Sequence, residues 1–154
     1  MQQQFAELAS RATGETLKNQ PAASQSAVAR TTLLLIAVKP TEGKVNPLVV
    51  GMTEDISLIF NVRTIEQYME SLRRAGESTP IRFDEQTTIE ELGGIKFGVV
   101  GATPRNPETA QSSNVRQHYY ITLRKNRALV FILTYDGAEQ LQACREILNS
   151  LKFQ

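Results

Sequence analysis

Apolar and polar residues follow their clearest pattern between positions 115 and 135, where they predict two antiparallel strands joined by a tight turn. The two kinds of residue alternate from Val115 to Arg124, which is typical of a strand with one buried face. Lys125 and Asn126 form the predicted turn. The return strand, Arg127 to Tyr135, is apolar on both sides, so we expect a central strand that is covered on two faces.

An amphipathic helix is predicted directly after this hairpin. Asp136 is expected to cap its first turn, and Glu139 to complete a capping box. The side of the helix that is expected to pack on the sheet consists of Leu141, Cys144, Ile147, Leu148 and Leu151. Helix and hairpin are therefore predicted to seal one side of the core.

A second helix is predicted to begin at a capping box formed by Thr64 and Gln67. Its apolar stripe, which ends at Gly76, consists of Ile65, Tyr68, Met69 and Leu72. The preceding tract, Thr53 to Arg63, has no clean period and predicts a packed loop or a single helical turn.

Four more strands are predicted in two hairpins. The first pairs Thr31–Val38 with Val45–Met52 through a turn at Pro40, Glu42 and Gly43, and the second pairs Ile81–Leu92 with Ile95–Thr103 through Gly93 and Gly94. Gly98 and Gly101 leave the last of these strands without a side chain at two positions, so close packing or a bulge is expected there.

The remaining N-terminal residues carry a weaker pattern. Phe5, Leu8, Ala9 and Ala12 recur at helical spacing and predict a short helix within residues 1–18. Residues 19–30 are small and polar and predict a flexible loop. At 154 residues the chain fits a single domain, 1–154, with its core in residues 31–153.

Composition excludes several classes of protein. Seventeen basic residues against sixteen acidic ones give a formal charge of +1, which argues against a general nucleic-acid binder. One cysteine cannot form an internal disulfide and has no second thiol to help bind zinc, so neither a metal nor a cofactor is expected. The longest apolar run, Leu33–Val38, is too short to cross a bilayer. We expect a soluble chain as written, or a secreted or cell-envelope protein if an upstream signal peptide has been removed.

The order of these elements, together with two short segments, resembles the PsbP-like family over residues 31–153. The segments are ELGGIKFGVVG (91–101) and ILNSLKF (147–153). The resemblance implies an α+β fold, in which helices sandwich a mostly antiparallel sheet of about five to seven strands. Members look like binding or assembly modules, including photosystem extrinsic subunits, a Ran-binding import factor and bacterial secreted or lipoprotein relatives. No ligand-contacting residue of that family matches a position in this chain.

His118, the single histidine, has two interpretations. It could act as a general base near neutral pH. However, no acidic residue lies between Glu108 and Asp136 to orient it, which favours a half-exposed strand histidine.

The two hairpins carry opposite charges. Basic residues concentrate on one hairpin, at Arg116, Arg124, Lys125 and Arg127, and acidic residues on the other, at Asp84, Glu85, Glu90 and Glu91. The basic hairpin could meet an acidic protein or an anionic surface. Alternatively, its charges are a solvated feature that prevents edge-to-edge pairing of the sheet.

Other candidate chemistry is weak. Cys144 lies among apolar helix positions and is expected to be a small buried hydrophobe rather than a nucleophile. Residues 41–44 lack the first glycine and the hydroxyl residue of a phosphate loop. Glu90 and Glu91 are adjacent, so they point to opposite sides of a strand and cannot form an acid/base pair.

The sequence therefore predicts a non-enzymatic binding or assembly module that recognises a protein or an anionic surface. The predicted contact residues are Arg116, His118, Tyr120, Arg124, Lys125 and Arg127. The alternative is a small hydrolase or ligand-binding enzyme whose site is built from loops 54–63 and 104–114 near His118.

Overall fold

A computed structural model describes residues 30–39, 46–57, 59, 61–105 and 114–152. Contacts divide the chain into two units, Met1–Thr31 and Thr32–Gln154, and apart from Arg30 and Thr31 the described residues belong to the second unit. The predicted N-terminal helix, residues 19–29 of the predicted loop and the turn at residues 40–43 lie outside the described residues. The assignment of 1–154 to a single domain stays a prediction.

The described residues form six strands and two helices. The strands are β1 (Thr31–Val38), β2 (Leu48–Asp55), β3 (Ile81–Leu92), β4 (Ile95–Pro104), β5 (Val115–Arg124) and β6 (Arg127–Asp136). Helix α1 (Ile65–Gly76) lies between β2 and β3, and helix α2 (Ala138–Ser150) follows β6. The strands make one sheet in the order β1-β2-β6-β5-β4-β3. The predicted α+β fold class is confirmed.

Strand β6 is central, as the sequence predicts. It pairs antiparallel with β5 on one side and with β2 on the other. Val130 and Phe131, which point to opposite faces of the sheet, are each only 3% exposed. A strand that is apolar on both sides is stable only where both of its faces are covered, and here a helix packs on each face.

Two apolar cores lie on opposite faces of the sheet. The core beneath α1 includes Met69, Val100, Tyr119, Ile121 and Val130. The core beneath α2 includes Phe97, Tyr120, Phe131, Cys144 and Leu148. Leu141, Ile147 and Leu151 pack at the margin of this second core. The predicted buried side of the C-terminal helix is therefore confirmed.

Helix α1 begins at the predicted capping box. The backbone N–H of Gln67 donates to Thr64 Oγ1 at 3.3 Å, and the backbone N–H of Thr64 donates to Gln67 Oε1 at 3.2 Å. A side-chain cap of this kind stabilises a helix by about 1 kcal/mol. The helix ends at Gly76, also as predicted.

Helix α2 begins differently from the prediction, because Asp136 is not its cap. Asp136 is paired with Val115 as the last residue of β6, which keeps it extended. The N-cap is Gly137, whose φ of 85° lets the chain turn from strand to helix, and no side chain caps the first turn. The Asp136 backbone N–H instead donates to Gln140 Oε1 at 2.9 Å.

Strand β2 begins and ends three residues later than predicted. Thr53, Glu54 and Asp55 pair with β6 and belong to the strand rather than to the following loop. The local spacing of apolar residues could not reveal that these three residues belong to the strand, because they pair with residues more than 70 positions away. After β2, Ile56 and Val62 are buried in the core beneath α1.

Glycines in β4 allow close packing on both faces, as predicted. A methyl group at Gly98 would overlap the Ile65 side chain and lie 3.0 Å from Met69 Cε. A methyl group at Gly101 would overlap the Asp84 carboxylate on the other face. The irregularity in pairing lies in β3, between Phe83 and Thr87, rather than in β4.

Candidate functional site

The six predicted contact residues do not form one surface. Arg116 and His118 lie at one end of β5, whereas Arg124, Lys125 and Arg127 are exposed at the opposite end of the hairpin. Arg124 lies eight positions after Arg116 along β5, or about 27 Å away at the usual rise of an antiparallel strand. The prediction grouped these residues because they belong to one hairpin.

Tyr120 is the clearest error in the predicted contact face, since it is 0% exposed. The side of β5 that looks polar in the sequence is the side on which α2 packs. The Tyr120 hydroxyl donates to Glu90 Oε2 at 3.1 Å, while Arg145 Nη2 donates to Glu90 Oε1 at 2.8 Å and to the Tyr120 hydroxyl oxygen at 3.2 Å. Burial raises the pKa of Tyr120, and the hydrogen bond from Arg145 opposes this. Tyr120 thus ties β3 and β5 to α2, and its side chain lies inside the fold.

His118 is half-buried on the same face as Tyr120. Its Nδ1 lies 3.3 Å from the hydroxyl oxygen of Tyr135, and the two rings are 5.6 Å apart. Burial lowers the pKa of His118, and the positive charge of Arg145 lowers it further, while Glu90 and Asp84 oppose the shift. The imidazole is therefore neutral at neutral pH.

An acidic cleft of about 490 Å³ lies beside His118. Asp84, Glu85 and Glu90 line it, and Gly101 leaves room for the Asp84 carboxylate opposite the imidazole. Within the described residues, no group of three or more histidine, cysteine or acidic side chains is arranged to hold a metal ion.

A second cleft, which we call the arginine cleft, has a volume of about 730 Å³. It is lined by Arg82, Thr103, Pro104, Arg105, Asn114, Val115, Arg116, Tyr135, Asp136, Gly137 and Ala138. Tyr135 lines this cleft and also contacts His118, which lines the acidic cleft. Two clefts of opposite charge therefore lie side by side, with the His118–Tyr135 pair between them.

Cys144 is buried in the core beneath α2, as the sequence predicts. Its Sγ lies 3.7 Å from the carbonyl oxygen of Thr134 and 3.8 Å from that of Leu48. Burial raises the pKa of the thiol. A reactive cysteine needs a lowered pKa and access to solvent, so Cys144 acts as a packing residue.

The alternative site built from loop 54–63 near His118 is wrong in its geometry. Ile56 and Val62 pack beneath α1, whereas the His118 side chain lies on the face that α2 covers. The sheet separates them. Most of the other proposed loop, residues 106–113, and residues 41–44 lie outside the described residues.

Two residues that the sequence did not single out, Tyr135 and Arg145, shape this face. Tyr135 could have been found, because a turn at residues 125–126 places it directly opposite Arg116 in the hairpin register. Arg145 gives no local signal, since Tyr120 and Glu90 are 25 and 55 positions away from it.

Acidification is expected to destabilise the protein through His118. Because burial lowers its pKa in the folded state, the unfolded chain binds the proton first as the pH falls through the usual value of 6.5. The free energy of unfolding therefore decreases in this window and levels off below the folded-state pKa. Urea denaturation between about pH 7.5 and about pH 5.5, above the usual carboxylate range, measures the slope.

A His118→Gln variant provides the control for this prediction, since it removes the chain's single imidazole. Its slope between the same pH values should be flatter than that of the wild type. Equal slopes in the two proteins would contradict the prediction.

Within the described part of the chain, no helix combines the length and apolar character needed to span a membrane.

Comparison with known proteins adds only a distant likeness of fold. No protein-family model matches the sequence, and no curated protein is significantly similar to it. Among solved structures, the chain is similar to the solution structure of cyanobacterial PsbP (CyanoP) from Synechocystis sp. PCC 6803. The similarity covers 79% of this chain and 78% of that one, with a TM-score of 0.39 and 8% sequence identity. A likeness at this level assigns no residue, ligand or partner.

Proposed function

We propose that the protein is a non-enzymatic binding module. Its contact surface lies around Arg116 and His118, on the same face of the sheet as α2. The observation that carries this proposal is the adjacent pair of clefts with opposite charge. Complementary charge on a partner speeds encounter and fixes the orientation of the complex. A surface with both signs of charge fits a folded protein partner better than a uniformly anionic surface.

The state of the chemically capable groups supports binding over catalysis. His118 contacts a tyrosine hydroxyl, whereas an efficient general base is usually oriented by a carboxylate. Glu90 is engaged by Tyr120 and Arg145, and Cys144 is buried. These contacts are those of groups that hold the fold together.

Arg124, Lys125 and Arg127 stay a separate prediction. They are exposed at the far end of the β5–β6 hairpin and are not among the described residues that line the arginine cleft. A partner that contacts both ends would have to span the length of β5.

Paired affinity capture tests the proposed surface. The immobilised wild type and an Arg116→Glu variant are exposed to an extract of the cells that produce the protein, and retained proteins are quantified by mass spectrometry. We expect one or more proteins to be retained by the wild type and lost from Arg116→Glu, because reversing one charge replaces attraction by repulsion.

Arg74→Glu is the matched control, since it makes the same charge change on α1, beyond the opposite face of the sheet. Proteins lost equally from both variants would contradict the proposed surface. Hydrolysis of ester or phosphoester substrates that His118→Ala abolishes would overturn the non-enzymatic proposal in favour of the hydrolase.

A further inference from the structure

A row of four side chains crosses the sheet at the mouth of the arginine cleft. Arg82 of β3 is paired with Thr103 of β4, and Arg116 of β5 with Tyr135 of β6. The neighbours of the first pair, Phe83 and Ala102, pack beneath α1, so Arg82 and Thr103 point to the other face of the sheet. The order across the sheet is therefore Arg82, Thr103, Arg116 and Tyr135, so the two arginines flank the threonine.

The cleft has an excess of positive charge. Arg82, Arg105 and Arg116 line it, and among the described residues that line it Asp136 is the one carboxylate. The Arg105 guanidinium donates to the carbonyl oxygens of Thr79 and Gly76, both at 3.1 Å, which fixes its position without neutralising its charge. Neither the Arg82 nor the Arg116 side chain forms an ion pair or hydrogen bond with another described residue.

The Thr103 hydroxyl gives an independent indication of a ligand. Its oxygen is buried and has no hydrogen-bond partner among the described residues, although Thr103, which is itself partly exposed, lines the cleft. Leaving a buried hydroxyl unpaired costs about 1–3 kcal/mol, so such groups are usually paired with protein, water or an ion. A ligand acceptor atom in the cleft would complete this bond.

Helix α2 begins at the same place. Gly137 and Ala138 line the cleft, and no side chain caps the first turn of this 13-residue helix. The first N–H groups of a helix and its dipole favour a negative charge at this end. This attraction for an anion adds to that of the arginines. The first N–H groups are left uncapped because the N-cap residue, Gly137, has no side chain.

We propose that the arginine cleft binds an oxyanion, either a carboxylate or a phosphate group, between Arg82 and Arg116 and against the first turn of α2. The proposal rests on the proposed function, because it names the chemical group that this contact surface takes from its partner. Planar guanidinium groups bind carboxylate and phosphate oxygens with matching geometry. The Thr103 hydroxyl donates a hydrogen bond to the same anion.

Titration of the ¹⁵N-labelled protein with sodium phosphate, and separately with sodium acetate, tests the proposal by NMR. Sodium chloride holds the ionic strength constant, so nonspecific screening does not change. We expect saturable shifts of the backbone amides of Thr103, Gly137, Ala138 and Glu139. Tighter binding of phosphate than of acetate would assign a phosphate group, and tighter binding of acetate a carboxylate.

Variants locate the site within the same experiment, and their spectra report whether each one is folded. Arg82→Gln and Arg116→Gln should each weaken binding by about tenfold, since each removes a charged hydrogen bond. Thr103→Val should weaken it by about two- to tenfold while raising the urea midpoint of the anion-free protein. Arg74→Gln, on α1, should leave the affinity within about twofold.

Absence of saturable shifts with both anions would overturn the proposal, as would equal affinity in the wild type and both arginine variants. Unchanged affinity in Thr103→Val would remove the threonine from the site. If Arg116→Glu abolishes partner capture but neither anion binds, the contact surface stands and the oxyanion site is wrong. If an anion binds and no partner is captured, the site stands and the proposed function is wrong.

Discussion

Replacement of Phe131 by alanine is expected to lower the free energy of unfolding by about 3–5 kcal/mol. Phe131 is in the central strand β6, and its ring centre lies 6.1 Å from that of Phe97. A methyl group at Gly51 would come within 2.9 Å of the Phe131 ring, so the ring fills the space above that glycine. Removing the ring leaves a cavity between two rigid layers, and such layers collapse only partly.

Urea denaturation of Phe131→Ala and of Ile89→Ala makes the comparison. Ile89 is 55% exposed on β3, so shortening its side chain should cost at most about 1 kcal/mol. Since domains of this size are stable by about 5–15 kcal/mol, the loss at Phe131 is a large share of the total. Equal losses in the two variants would contradict a β6 that is covered on both faces.

Replacement of Gly98 by alanine has the second largest expected effect, a loss of about 1–3 kcal/mol. The added methyl group would overlap Ile65, the first residue of α1, and would lie 3.0 Å from Met69 Cε. The helix must then move away from β4 or shift its side chains. Both changes loosen the core beneath α1.

A double-mutant cycle with Ile65→Ala separates this effect from the general cost of alanine in a strand. The Ile65→Ala change removes the side chain that the new methyl group overlaps, so the double variant should be more stable than the sum of the two losses predicts. A coupling of about 0.5–3 kcal/mol is typical of residues in contact. Additive losses would show that α1 does not approach β4 as closely as the structure describes.

Features that depend on neighbouring residues were predictable from the sequence. The capping box of α1 involves Thr64 and Gln67, which are three positions apart. The β5–β6 hairpin closes through Lys125 and Asn126, so its pairing follows from the alternation on each side of the turn. The apolar spacing around Cys144 likewise reveals the buried side of α2.

Errors arose where distant parts of the chain decide the outcome. Tyr120 shares its side of β5 with the polar residues His118 and Thr122. Its partners Glu90 and Arg145, however, come from β3 and α2 and bind its hydroxyl inside the fold. Asp136 has the side chain of a good helix cap, but pairing with Val115 holds it in β6. In both cases tertiary contacts prevail over local preference.

The two clefts could be predicted only in part. The sequence pointed to Arg116 and His118 and showed that the hairpins carry opposite charges. The arginine cleft, however, draws Arg82, Thr103 and Tyr135 from three other strands, and their juxtaposition depends on the strand order of the sheet. The composition of the chain and the spacing of its residues do not reveal that strand order.

The central place of β6 also affects how the protein is made. Val50 of β2 pairs with Ile132, 82 positions later, so one side of β2 stays open on the ribosome until β6 has been synthesised. Pairings between such distant residues slow folding and leave apolar strand surface exposed in the meantime. In the growing chain, β2 and the β3–β4 hairpin are therefore separate parts of the sheet until β5 and β6 join them.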